Sequence, residues 1–180
     1  EYVEIIQRNN ELLLQLISDI LDLSKIEAGT FEFVESQFEV NQTCLEIVKT
    51  LEAKVQKGVT LLFEQPLSPC YIHSDKNRFT QVITNFINNA IKFTSHGSIT
   101  VGYEIISEDR IKIYVRDTGV GIPKEKLGNI FDRFVKLNNF AQGTGLGLSI
   151  CKSIVSQMGG EIGVESIEDA GSYFWFTHPL

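Results

Sequence analysis

Three clusters of residues in this chain could do chemistry. Gln81, Asn85, Asn89 and Lys92 fall on one stripe of a helix at ~100° per residue. The opposite face carries Phe79, Val82, Ile83, Phe86, Ile87, Ala90 and Ile91. Solvated helix faces favour Lys, Glu and Arg, whereas asparagines such as Asn85, Asn88 and Asn89 each cost up to ~0.7 kcal/mol relative to alanine. Asparagine offers a neutral carbonyl oxygen for Mg²⁺ and an amide donor for phosphate oxygens, and Lys92 adds positive charge. Alone, the stripe reads equally as a binding face or as ordinary polar surface. The second cluster is Asp117-Thr118-Gly119-Val120-Gly121-Ile122-Pro123, at the end of a strand. Alternation puts Ile111, Ile113, Val115 and Asp117 on one face, where a carboxylate is costly unless a donor meets it. The exocyclic amine of adenine is such a donor, and glycines let backbone approach a flat ring. A buried aspartate capping its own glycine turn is the other reading. The third cluster, Gly143-Thr144-Gly145-Leu146-Gly147-Leu148, opens a helix whose N-terminal N–H groups and dipole suit phosphates.

The elements that must position these clusters follow from pattern. Apolar residues Ile6, Leu13, Leu16, Ile20 and Leu23 recur at helical spacing, and Leu12, Ile17, Leu21 and Ile26 widen the stripe. This predicts a helix over 2–27, ended by Gly29 and buried in a bundle; packing on its own domain is the alternative. Strands are expected over 31–40, 59–63, 98–106, 110–116, 161–166 and 172–177. Helices are expected over 41–57, 75–93 with Asp75 as N-cap, and 146–158. The stretch 117–147 is glycine-rich and only partly helical. Hairpin-connected strands with helices between groups predict an α+β fold: a two-layer sandwich of a mixed, mostly antiparallel sheet and a helical layer, preceded by one long helix.

The third cluster follows loop rather than strand, so it is not a dinucleotide fingerprint. Neither a G-x-x-x-x-G-K-[ST] loop nor a V-A-I-K strand occurs. In one order, however, the clusters match a known set. Gln81 to Phe93 resembles the N box of sensor histidine kinases, Asp117 to Pro123 their G1 box, Ile130 to Phe134 their F box and Gly143 to Leu148 their G2 box. Gly171-Ser172-Tyr173-Phe174 is similar to the family's final glycine motif. Leu21 to Gly29 resembles the end of the second dimerisation helix. The resemblance implies the Bergerat-type sandwich, with residues 1–29 as part of the dimerisation region and 30–180 as the catalytic ATP-binding domain.

By position, the resemblance assigns Asn89 to Mg²⁺, Asn85 to the triphosphate channel, Lys92 to phosphate and Phe93 to the side of adenine. Asp117 would bind the adenine amine. Gly119 and Gly121 would shape the base pocket beside Ile122, and Gly143, Thr144, Gly145, Leu146 and Gly147 would form a lid. Lys136 stands where many relatives have arginine, keeping the charge but losing the planar fork. Asn138 to Gln142 lacks the further basic residue of some relatives. Tyr173 stands where threonine is common, so an adenine-side hydroxyl must come from Ser172, Tyr173 or water.

Hydrolytic relatives of this fold place a glutamate general base where Asn85 sits, and a neutral amide cannot take a proton from water. The resemblance therefore implies transfer of the ATP γ-phosphoryl group to a histidine of the dimerisation domain, then to a response-regulator receiver domain. His73, His96 and His178 lack the sequence context of that acceptor. A parallel homodimer of the parent protein is expected. The net charge of −7 argues against a nucleic-acid surface. The cysteines Cys44, Cys70 and Cys151 read as reduced packing residues of a cytoplasmic domain. No apolar run approaches the ~20 residues of a membrane span; a start inside a helix without methionine suggests a fragment whose parent could carry a membrane anchor.

Overall fold

The structure, a computed structural model, describes residues 2–64, 66, 68–135 and 143–180. Lys136 and the segment 138–142 lie outside the described residues. A long helix α1 (Tyr2–Glu27) comes first. It closes as the sequence predicts: Gly29 takes φ +66°, and the Thr30 N–H reaches back to the Lys25 carbonyl at 2.9 Å. Then follow β1 (Ser36–Glu39), α2 (Val40–Glu52), β2 (Val59–Glu64), β3 (Tyr71–Ser74) and α3 (Lys76–Phe93). The second half runs β4 (Gly97–Ser107), β5 (Arg110–Asp117), the short α4 (Lys124–Leu127), α5 (Gly147–Gln157), β6 (Ile162–Ile167) and β7 (Gly171–Pro179).

The main sheet has the order β2-β4-β5-β7-β6, with β2 and β4 parallel and every other pair antiparallel. A separate ribbon pairs β1 with β3. This is the expected two-layer α+β sandwich. The strand expected over 31–40 contracts to four residues because Phe31 and Phe33 pack as an edge-to-face pair, with Phe31 under the Arg78 guanidinium, rather than joining a ladder. Glu39 caps α2, accepting from the Asn41 and Gln42 N–H groups. The strand β3 was hidden by the prolines around it.

The core lies where α3 meets the sheet. Asp75 starts α3 by accepting from the N–H groups of Asn77 and Arg78 at 2.8 and 3.0 Å, and its other oxygen accepts from Val34. Phe79, Val82, Ile83 and Ile87 are fully buried. Phe79 sits edge-on to Phe38 and Phe176 at ring distances of 5.3 and 5.5 Å, and Phe86 lies 5.4 Å from Phe174. Each such side chain contributes roughly 1.5–3 kcal/mol by burial.

Among the described residues, no helix covers the far face of the sheet. Tyr114 and Trp175 lie flat over their neighbours on the adjoining strands, Gly102 and Gly163, where an added Cβ would fall 2.5 and 2.3 Å from the rings. Tyr173 leans on Tyr114 with centroids 5.2 Å apart, and Lys112 stands over Tyr173 and Trp175.

α1 uses two faces. Leu16, Leu23 and Ile26 pack towards the core, whereas Leu13, Ile17, Ile20 and Leu21 are exposed. The face packed towards the core is the alternative arrangement, packing on its own domain; the exposed face has no cover among the described residues. Truncating the centre of the core by Phe79→Ala should cost about 3–5 kcal/mol, read from urea unfolding midpoints. A loss below about 1 kcal/mol would mean that the α3–sheet contact is not the main source of stability.

Candidate functional site

Because α3 buries its apolar face on the sheet, its amide face turns toward a cavity of about 480 Å³. Asn85, Asn88, Asn89, Lys92 and Phe93 line one wall. Asn89 Nδ2 donates to Asn85 Oδ1 at 3.2 Å, so the bond uses the nitrogen of Asn89 and not its oxygen. The Asn85 amide sits against the first residue of α5; a Cβ on Gly147 would fall 2.3 Å from Asn85 Nδ2. Lys92 Nζ reaches over the Phe93 ring and toward Gly143.

Asp117 forms the far end. It is 6% exposed, on the same sheet face as buried Ile111, Ile113 and Val115, as alternation predicts. Its Oδ1 accepts from the Gly119 N–H at 2.8 Å. The cap and the cavity wall are thus not exclusive readings: Asp117 is both. Burial pushes its carboxyl above the ordinary value of 3.8, partly offset by backbone donors at Gly119 and Ser172. The buried Thr94 hydroxyl is near enough to favour the ionised carboxylate, yet it makes no hydrogen bond of good geometry. Gly119 is required by close approach, since a Cβ there would meet the Phe93 carbonyl at 2.4 Å and Asp117 Oδ1 at 2.9 Å. Gly121 and Ile122 also line the cavity, and Ser166 Oγ accepts from the Ile122 N–H.

The glycine turn closes the third side. Gly143, Thr144, Gly145 and Gly147 line the cavity and Leu146 is buried as the residue before α5. The F-box segment braces this turn, with the Phe134 N–H donating to the Gly145 carbonyl at 2.8 Å. Of the hydroxyls considered for the base side, Ser172 lines the cavity in register with Asp117. Tyr173 points to the opposite face of the sheet.

Sequence reasoning missed one wall altogether. Leu12, Gln15 and Asp19 of α1 also line the cavity. Asp19 is 4% exposed, and its oxygens accept from Gln15 Nε2 and from the Thr144 hydroxyl, each at 2.7 Å. Asp22 accepts from Gln81 and pairs with Arg78, and Glu27 pairs with Arg133. Polar residues on an amphipathic helix ordinarily read as solvated, and only the packing of α1 against α5 reveals otherwise.

A family model described as histidine kinase-, DNA gyrase B- and HSP90-like ATPase matches residues 74–180. The chain belongs to this ATPase family, in its sensor histidine kinase branch. Its sandwich is the Bergerat fold. The chain is 38% identical over 189 residues to the hybrid signal transduction histidine kinase B of Dictyostelium discoideum, covering 99% of this chain and 10% of that protein. It thus spans about a tenth of that relative's length. Full-length ShkA in complex with AMPPNP superposes with a TM-score of 0.87 at 29% identity, covering 99% of this chain and 38% of the other. The histidine kinase ThkA in complex with the response regulator protein TrrA gives a TM-score of 0.77 at 27% identity, covering 99% and 50%. The α1 arrangement in this kinase domain falls within the matched region of both.

The histidines stand apart from the cavity. His73 and His96 are exposed, and buried His178 packs on Phe79 with its ionisation held below the ordinary imidazole value by burial. Cys44, Cys70 and Cys151 are buried free thiols.

A raised carboxyl value sets the sign of a pH effect. The stabilising contribution of Asp117 is fully present below about pH 3.8 and is lost as pH rises through its raised folded value. Asp117→Asn, neutral throughout, should therefore melt above the parent at about pH 7.5, with the gap closing in acid. A lower melting temperature for the variant at about pH 7.5 would show that the capping bonds outweigh the cost of burial.

Proposed function

We propose that this domain binds Mg·ATP in the cavity and presents the γ-phosphoryl group to a histidine on a dimerisation helix of the longer protein, for onward transfer to a response-regulator receiver domain. The observation that carries this reading is one cavity bounded by the amide face of α3, the carboxylate of Asp117 and the glycine turn before α5. Asp117 accepts the adenine amine, with Ser172 beside it. Gly119, Gly121, Ile122 and Phe93 surround the base. Lys92 and the turn Gly143–Gly147 meet the phosphates, through charge and backbone donors. Lys136 belongs to the same proposed set.

The donor set fits Mg²⁺ held jointly with phosphate. No group of three or more His, Cys, Asp or Glu suited to a metal occurs among the described residues. Asn89 supplies an amide oxygen, and Mg²⁺ commonly takes one or two protein ligands with the rest from phosphate and water. When bound, the ion would neutralise phosphate charge.

Transfer rather than hydrolysis follows from the wall chemistry. The carboxylates among the described lining residues are Asp19 and Asp117. Asp19 is engaged by Gln15 and Thr144, and Asp117 lies at the base end. Asn85 cannot act as a general base. The domain therefore contributes positioning and electrostatics, without a general base for water among the described lining residues.

The boundary between a dimerisation segment (1–29) and the catalytic domain (30–180) belongs to this proposal. Its support is the exposed apolar face of α1, whose Leu13, Ile17, Ile20 and Leu21 suit a second copy in a homodimer. No helix among the described residues is long and apolar enough to cross a membrane.

Calorimetric titration with AMPPNP, with and without Mg²⁺, tests the site. Asp117→Asn should weaken binding at least tenfold, and Asn89→Ala should abolish the difference that Mg²⁺ makes. Equal affinities with and without the metal in the unaltered chain would refute the assignment of Asn89. Mixed with labelled ATP and a dimerisation domain bearing its histidine, the chain should label that domain. Steady phosphate release without labelling would favour a hydrolase instead.

A further inference from the structure

We propose that Asp19, on the helix that precedes the catalytic domain, is a positioning residue for the phosphate-binding glycine turn. The proposal rests on the nucleotide-site reading above and assigns to α1 a part in it. The Thr144 hydroxyl donates to Asp19 Oδ2 at 2.7 Å, and the same hydroxyl oxygen accepts from the Leu146 N–H at 3.2 Å. A relay therefore runs from α1 into the backbone at the start of α5. Gln15 Nε2 fixes the other carboxylate oxygen at 2.7 Å from one turn earlier on α1. Asp19 is 4% exposed, so the carboxylate at the centre of the relay is largely withdrawn from water.

The turn needs such a tie. Gly143 and Gly145 hold φ values of +142° and +73°, and an untethered glycine segment loses more conformational entropy than any other when a ligand orders it. A second anchor is the Phe134 N–H, which donates to the Gly145 carbonyl. Tying Thr144 in advance lowers the ordering cost that triphosphate binding would otherwise meet. Because the anchor sits on α1, the readiness of the phosphate site depends on α1 staying docked. The Asp22–Arg78–Gln81 cluster and the Glu27–Arg133 pair hold α1 in that place.

The alternative is a purely electrostatic role, in which a carboxylate beside the phosphates repels them. Titration of the whole chain with Mg·AMPPNP and with adenosine separates the two. Asp19→Ala and Thr144→Val should each weaken AMPPNP about tenfold and adenosine less than twofold, and the double variant should be no weaker than either single one. Asp19→Asn, which keeps an acceptor oxygen for Thr144, should recover most of the affinity. Tighter AMPPNP binding by both Asp19→Asn and Asp19→Ala would overturn the proposal in favour of repulsion. So would unchanged affinity, or equal losses for both ligands together with a fallen melting temperature, which would mark general damage. Failure of the unaltered chain to bind AMPPNP would remove the site reading itself, and this inference with it.

Discussion

The structure depends on α3 having two faces that cannot both be satisfied by water. Its aromatic and branched residues must leave solvent, and the β5–β7 surface is where they go. Once that is fixed, the rotation of the helix is fixed too, and the asparagines are aimed away from the sheet, into the space between helices and loops. Helix propensity alone would disfavour three asparagines so close together. The burial of Phe79, Ile83, Phe86 and Ile87 on the other side outweighs that cost several times over.

Asp117 is the complementary case, a residue whose position weakens the folded state and equips the site. Its strand is buried on that face by the same packing, so the carboxylate arrives in a desolvated place with backbone donors at Gly119 and Ser172 and the Thr94 hydroxyl nearby. A group held at such a cost is suited to a partner that can donate a hydrogen bond, which the proposed function assigns to the adenine amine. The glycines at 119 and 121 let the chain pack closely on itself around that carboxylate, since a Cβ would strike the Phe93 carbonyl at 119 and the Ile167 carbonyl at 121.

Much of this was legible in the chain. The periodicity of α3, the inward phase of Asp117, the Asp75 cap and the opening of α5 all depend on neighbours within a few residues, and local pattern records such dependence faithfully. What was not legible depends on distant partners. β3 is four residues long and is defined only by its pairing with β1. The shortened β1 reflects Phe31 and Phe33 packing on each other, with Phe31 under Arg78 of α3. Asp19 and Gln15 looked like the wet side of an amphipathic helix, and only the docking of α1 against α5 turned them into a cavity wall. The choice between Ser172 and Tyr173 was open because strand phase at β7 is set by its register with β5.

The outer face of the sheet, closed by flat aromatics over glycines, has a practical corollary for anyone studying this domain. Its single tryptophan, Trp175, belongs to that face, with the sheet standing between it and the nucleotide cavity. Intrinsic emission at that position should follow the integrity of the sheet while staying nearly blind to occupancy. One cuvette could then report unfolding of ligand-free and ligand-saturated samples on a common scale.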